Sequence, residues 1–179
     1  MNQEQEGRFD PVVRAGKFDD APQMAEIYNH WVLTSPVIFS DKVLSAAEME
    51  AKLRRMEVGS RFPFFVAEAG GRVVGYAYAH HWQPDPVYDL TWELTMYLSA
   101  DICGRGLGTA MLDRLVEACR QGGAHVVVSC VTGGNEACER MHLRAGFTEA
   151  GRLPQVGFKF GKYHTDVIYL KQVGDAGER

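Results

Sequence analysis

The chain has no CxxC pair: Cys103, Cys119, Cys130 and Cys138 are scattered over an expected loop, helix and strand. That spacing argues against a disulfide framework or a zinc knuckle and leaves four reduced thiols. A cluster of His, Cys and carboxylate residues at ligand spacing is also missing, so no metal is expected. No apolar run approaches the length that spans a bilayer, and the opening MNQEQEGRFD lacks the pattern of a secretory signal. The expectation is a cytoplasmic protein without a membrane partner. Positive charge is not in excess either. The formal net charge is -4, which gives no reason to expect a nucleic-acid partner. Internal repeats and low-complexity linkers are absent as well.

What remains is an ordinary globular composition, 46% hydrophobic with mixed charges, in 179 residues. That length suits one domain with a proper core, expected over residues 11–173. The polar ends, 1–10 and 174–179, are expected to be flexible.

Val12–Arg14 reads as a first strand. Asp19 or Asp20 caps a helix whose first turn holds Pro22, with Met24, Ile27, Tyr28, Trp31 and Val32 as its buried stripe. Val37–Ser40, after Pro36, is expected to be extended. Ser45 and Glu48 form a capping box for a second helix ending near Gly59. Phe64–Glu68 and Val73–Ala79 form a hairpin across Ala69-Gly70-Gly71. His80–Asp89 is a loop. A third helix runs to about Gln121 and His125–Val131 is a buried strand. Asn135 opens a fourth helix that ends at Ala145-Gly146, and Phe147–Gly151 and His164–Leu170 are closing strands around a loop. The order β-α-α-β-β-β-α-β-α-β-β implies an α/β (α+β) domain with a mixed, mostly antiparallel sheet.

Trp92–Thr109 carries the chemistry. Strand alternation puts Trp92, Leu94, Met96 and Leu98 on one apolar face and Glu93, Thr95 and Tyr97 on the other. The turn Gly104-Arg105-Gly106-Leu107-Gly108-Thr109 then opens a helix. Glycines without Cβ atoms permit close approach of a ligand, and free N–H groups at a helix start attract phosphate. A carboxylate one strand ahead of a phosphate cradle suggests a base beside a phosphate-bearing cosubstrate. Glu93 has two readings on the residues alone: a general base, or a carboxylate fixed in an ion pair.

These residues resemble a known family. Cys103–Thr109 resembles the acetyl-CoA motif Q/R-x-x-G-x-G/A of the GNAT acyltransferases, and Asn135–Phe147 their Asn-led helix ending in Gly-Phe. Asn29-His30 to Thr34, Glu93 with Met96-Tyr97-Leu98, and Gly157–Asp166 are similar to segments of the phosphinothricin and methionine-sulfoximine or -sulfone N-acetyltransferases. The resemblance spans about Val12 to Val173 and implies a GNAT fold, a twisted sheet flanked by helices. It also implies an acetyl-CoA-dependent N-acetyltransferase acting on the amino group of a small molecule, in a homodimer. Glu93 is then the general base and His142 the acid for the departing thiolate. Met96, Tyr97, Leu98, Gly104, Arg105, Gly106, Leu107, Gly108, Thr109 and Asn135 are expected to hold the cosubstrate. Phe39, Tyr78, Trp82, Thr95 and Lys159 are candidates for the acceptor pocket. Four residues depart from the pattern: Cys103 stands for the usual Gln or Arg, Gln83 and Asp85 replace basic residues after Trp82, and Thr165 interrupts the usual His-Asp pair. The rival readings are an acetyltransferase for protein or peptide amines and a non-catalytic acyl-CoA sensor.

Overall fold

The computed structural model describes residues 11–174; the expected flexible segment 1–10 and the tail beyond Gly174 lie outside the described residues. The strands are β1 (Val12–Ala15), β2 (Phe64–Ala69), β3 (Arg72–His81), β4 (Thr91–Leu98), β5 (Val126–Thr132), β6 (Thr148–Lys159) and β7 (Lys162–Gln172). The helices are α1 (Ala21–Thr34), α2 (Ala46–Arg55), α3 (Leu107–Gln121) and α4 (Glu136–Arg144). All seven strands join one twisted sheet in the order β1-β2-β3-β4-β5-β7-β6. Each neighbouring pair is antiparallel except β4 and β5, which run parallel. This is the mixed, mostly antiparallel α/β arrangement that the element order implies.

The helices sort to two faces, as alternation along β4 requires. Trp92 and Leu94 join Met111, Leu112 and Leu115 of α3 in one core, with Met96 and Leu98 packed against it. Tyr97 packs against the other core, formed by Tyr76 and Tyr78 with Met24, Ile27 and Tyr28 of α1 and Met49 and Leu53 of α2. The Ser45–Glu48 capping box is present: the Glu48 N–H donates to Ser45 Oγ at 3.2 Å and the Ser45 N–H to Glu48 Oε2 at 2.9 Å.

Four local expectations need correction. First, α2 stops at Arg55, before Gly59, because Glu57 takes φ 55 and serves as the left-handed residue of the C-cap. The Val58 N–H reaches Leu53 O at 3.0 Å and the Glu57 N–H reaches Arg54 O at 3.1 Å. Those are the two bonds of a Schellman motif, with Leu53 and Val58 both fully buried as its apolar contact. Second, β3 continues through His81, so His80 and His81 are strand residues and not loop residues. Third, Pro36–Phe39 is a run of turns and bends and not an extended segment. Side chains from distant strands hold it: the Thr132 hydroxyl donates to Pro36 O at 3.0 Å, and Lys159 Nζ donates to Ser35 O and Ile38 O at 2.9 and 2.8 Å. Fourth, the loop expected between the closing strands is a long hairpin, β6–β7, turning at Phe160-Gly161. Register shifts at Glu149/Gly151 and Leu153/Gly157 let Pro154 and Gln155 bulge from β6. A proline that cannot donate to the ladder is tolerated in such a bulge on an outermost strand.

One feature of the sheet positions everything functional. β4 pairs with β5 only through Thr91–Glu93 and Val126–Val128. Beyond Glu93 the two strands part, while β5 remains paired to β7 along its whole length and β4 to β3. A wedge opens in the middle of the sheet.

Candidate active site

The wedge is a cavity of about 1230 Å³ lined by both diverging strands, the glycine turn and the start of α4. The alternation of an antiparallel ladder fixes what β4 offers to it. The Ser99 N–H bonds to Val74 O at 2.9 Å, toward β3, so the main-chain groups of the odd-numbered residues face β3. Those of Leu94, Met96 and Leu98 therefore face the wedge, where β5 no longer reaches them. Leu98 O is taken by Trp31 Nε1–H at 2.7 Å, while the N–H and C=O of Met96 and the Leu98 N–H remain as a strand edge. Such an edge accepts an extended amide-bearing arm in the manner of an added strand.

At the end of β4 the chain turns into α3. Gly104 and Gly106 both take left-handed φ values, 81 and 82, which side chains with a Cβ adopt at a cost. Gly106 is the N-cap of α3 and has no side chain to satisfy the first N–H groups of the helix. Gly104, Gly106, Gly108 and Thr109 line the cavity, so those donors and the positive end of the helix are presented there. The turn suits a pyrophosphate. Arg105 and Leu107 fall outside the lining, and Leu107 is buried in the core on the α3 side. Across the wedge Asn135 caps α4, its Oδ1 accepting from the Cys138 N–H at 3.3 Å. Among the described residues no group of three His, Cys, Asp or Glu is arranged to hold a metal ion.

Glu93 stands where β4 and β5 part, on the face opposite the apolar stripe. Its side chain is about a quarter exposed, at 26%. Burial and then the nearby Asp166 carboxylate push its carboxyl up to about 7, with Lys52 of α2 pulling the other way. Asp166, on β7, lines the same cavity and is itself raised by burial. A carboxyl poised near neutrality inside a cleft is competent to take a proton from an ammonium group.

An open strand edge, a glycine cradle and a carboxyl of raised pKa thus share one cleft. Residues 24–147 match the Acetyltransferase (GNAT) family. The chain belongs to the GNAT acetyltransferases. It is 34% identical to phosphinothricin N-acetyltransferase of Alcaligenes faecalis over 168 residues, 93% of this chain and 84% of that protein. It is also 34% identical to the L-methionine sulfoximine/L-methionine sulfone acetyltransferase of Salmonella typhimurium, over 89% of this chain and 92% of the relative. The solved structure of yncA from Salmonella typhimurium with its cofactor acetyl-CoA superposes with a TM-score of 0.88 at 30% identity, covering 94% of this chain and 96% of that one. This acetyltransferase is therefore an acetyl-CoA-dependent enzyme that acetylates an amine.

The remaining expected site residues divide. Phe39 and Thr95 line the cavity, as do Met96, Tyr97 and Leu98. Tyr78 is core, fully buried and stacked on Tyr76 at 6.2 Å. Trp82 and the Gln83–Asp85 stretch lie outside the lining; Asp85 Oδ1 accepts from the Val87 N–H in a short 3-10 turn. Lys159 is committed to the carbonyls that hold the Pro36–Phe39 turn, so it buttresses Phe39 from behind. Asn29, from the motif at the end of α1, is tied to Leu44, donating to its carbonyl and accepting from its N–H, both at 2.8 Å.

His142 is on the cavity wall but buried, stacked on Tyr169 at 5.5 Å. Its Nδ1 lies 2.9 Å from Cys138 O, which can only accept, so Nδ1 carries the proton and Nε2 of the neutral ring is bare. Burial lowers its pKa below the ordinary histidine value, with that hydrogen bond opposing. A neutral ring in this tautomer has no proton to give a thiolate from Nε2. Asp166, His164 and Cys130 also line the cleft; the sequence singles out His164, with Lys159, as approaching an acceptor or a subunit boundary, but gives Asp166 and Cys130 no such role. The alternation of β7 puts residues 164 and 166 on one face.

Proposed function

We propose that Glu93 removes the proton from a small-molecule primary ammonium so that its nitrogen attacks the acetyl thioester directly. The acceptor is an amino acid or analogue of the phosphinothricin, methionine sulfoximine and methionine sulfone type. One observation carries this reading: a carboxyl held near neutrality lies in the same cleft as the glycine cradle and the open β4 edge. In this mechanism the new N–C bond forms as Glu93 accepts the proton. The C–S bond then breaks and the thiolate departs. The Met96–Leu98 edge orients the arm, and its N–H groups are donors for developing oxyanion charge.

The thiols argue for direct transfer. Burial pushes Cys130 up to about 12 and Cys138 up to about 11, while Cys103 is raised by burial and by Asp101. None supplies a thiolate near neutral pH, so no acyl-enzyme step is invoked. For the same economy the thiolate's proton comes from the attacking nitrogen and not from His142.

The reading also makes the enzyme cytoplasmic and a homodimer. Phe158, Phe160 and Tyr163 on the β6–β7 hairpin are 65%, 55% and 63% exposed, which supports a second copy of the chain on this apolar surface. Sedimentation velocity that showed only monomer at micromolar concentration would count against the dimer.

The substrate is tested by thiol release from acetyl-CoA. The acceptors are phosphinothricin, methionine sulfoximine, methionine sulfone, free amino acids and short peptides. Release with at least one free amino acid or analogue, at kcat/KM at least about tenfold above every peptide, is expected. Preference for peptides would favour the protein-amine reading. Acetyl-CoA binding with no release from any acceptor would favour a sensor.

A further inference from the structure

Behind Glu93, outside the cavity lining, β3 brings a second titratable group to the same face. The β3–β4 register places His80 opposite Glu93 and Tyr78 opposite Thr95. The His80 ring is fixed by its own neighbour, with Nδ1 2.9 Å from His81 O. A carbonyl only accepts, so Nδ1 carries the proton and Nε2 of the neutral ring offers a lone pair. That Nε2 lies 3.4 Å from Thr95 Oγ1 and 3.9 Å from Glu93 Oε2. When Glu93 is ionised, two acceptors face each other with no proton between them. When Glu93 has taken a proton, a small side-chain rotation gives its O–H an acceptor.

The geometry points to His80 as a positioning residue that favours proton uptake by Glu93. It does so by aiming an acceptor at the carboxyl oxygen that receives the substrate's proton. This rests on the reading of Glu93 as the base. The other charged and titratable groups around the pair are Lys52 of α2, Asp166 of β7, Cys130 of β5, and Tyr78, Tyr97 and His81 of the neighbouring strands. Lys52 favours the ionised Glu93 and Asp166 opposes it. Burial keeps His80 below the ordinary histidine pKa; the hydrogen bond to His81 O opposes it, and the charges of Lys52 and His81 add to it. The ring is thus neutral when the base works.

His80→Phe keeps a buried ring beside Tyr78, 6.0 Å away in the native enzyme, and deletes the Nε2 acceptor together with the Nδ1–H that holds the ring to His81 O. The acidic limb of kcat/KM for the amine should move down by about half to one pH unit, because protonated Glu93 loses its partner. The plateau kcat should fall by roughly fivefold with KM for acetyl-CoA unchanged. His80→Gln, whose amide oxygen reaches the position of Nε2, should recover part of both. An unchanged limb and kcat in His80→Phe would overturn the proposal.

Two readouts do not need turnover. The 13C-carboxyl titration midpoint of Glu93 should fall in His80→Phe, and an unshifted midpoint overturns the proposal. The 15N spectrum of wild-type His80 should show the Nδ1–H tautomer, and an Nε2–H tautomer overturns it even if the variant fails to fold. Normal turnover by Glu93→Gln would instead remove the base reading, leaving these titrations to report on the pair alone.

Discussion

Glu93→Gln is expected to lower kcat by about 10²- to 10³-fold while the Kd of acetyl-CoA stays within about twofold. The amide keeps the size and polarity of the side chain at the parting of β4 and β5, so the cleft and its strand edge are preserved. What is lost is the only step assigned to Glu93, acceptance of the ammonium proton. The same change should not cost stability. The folded-state pKa of Glu93 is raised from 4.5 to about 7 by burial and by Asp166, so the fold prefers the protonated acid. That preference is fully present below the unfolded value and is lost as pH rises through the folded one. Above pH 7 the ionised carboxylate is therefore a liability that Gln does not share, and the Tm of Glu93→Gln at pH 8 should equal or exceed that of the native enzyme. Low activity together with an undiminished Tm separates a catalytic role from a structural ion pair. A Tm that fell sharply would support the ion-pair reading of this residue.

The second large effect is expected at the cradle. Gly106→Val should raise the Kd of acetyl-CoA by roughly 10- to 100-fold with the Glu93 titration unmoved. Gly106 has φ +82, and a Cβ there would meet nothing within 4 Å. The new side chain is therefore strained by its backbone and at the same time projects into the open space at the first turn of α3 that we propose receives the pyrophosphate. Calorimetry with acetyl-CoA reads the loss directly. Binding within about twofold of native would place the phosphates elsewhere. Because Gly106 caps α3 and Glu93 lies near the start of β4, the two variants should affect different quantities, affinity in one and rate in the other.

The parts of this enzyme legible in its sequence are those governed by local rules. Alternation along Trp92–Leu98 placed Glu93, Thr95 and Tyr97 on one face, because a strand has a period of two whatever surrounds it. The Ser45–Glu48 box and the glycine turn before α3 are equally local. Of the parts that differ from expectation, one depends on partners far along the chain and two on local irregularity. The Pro36–Phe39 turn is held by Thr132 and Lys159, about a hundred residues or more away, so nothing within the segment announces it. β6 hides behind Pro154 and two register shifts, which interrupt the pattern that would identify a strand. α2 stops at Arg55 and Glu57 takes the left-handed position of its cap, where Gly59 is the better signal, because burial of Leu53 and Val58 stabilises the cap.

At the site the same division holds. The cradle and Glu93 follow from spacing together with family resemblance. The wedge that makes them one site comes from where β5 stops pairing with β4, and no residue of β4 specifies that. Lys159 and Tyr78 illustrate the converse. Their residue types suit an acceptor pocket, but hydrogen bonding and burial assign them to the scaffold. Prolines that follow closely make His80 read as loop; one more strand residue would put it on the face of Tyr78, but its pairing with Glu93 comes from the β3–β4 register.

The most direct test is the pH dependence of single-turnover acetyl transfer, native enzyme against Glu93→Gln, with a saturating small-molecule amine that the enzyme acetylates. Single turnover isolates the chemical step from product release. Base catalysis by Glu93 predicts a native rate that rises with pH through a limb near 7, the value to which burial and Asp166 bring the carboxyl, and a residual Gln rate without that limb. A limb that persists unchanged in Glu93→Gln, at a comparable rate, would contradict it.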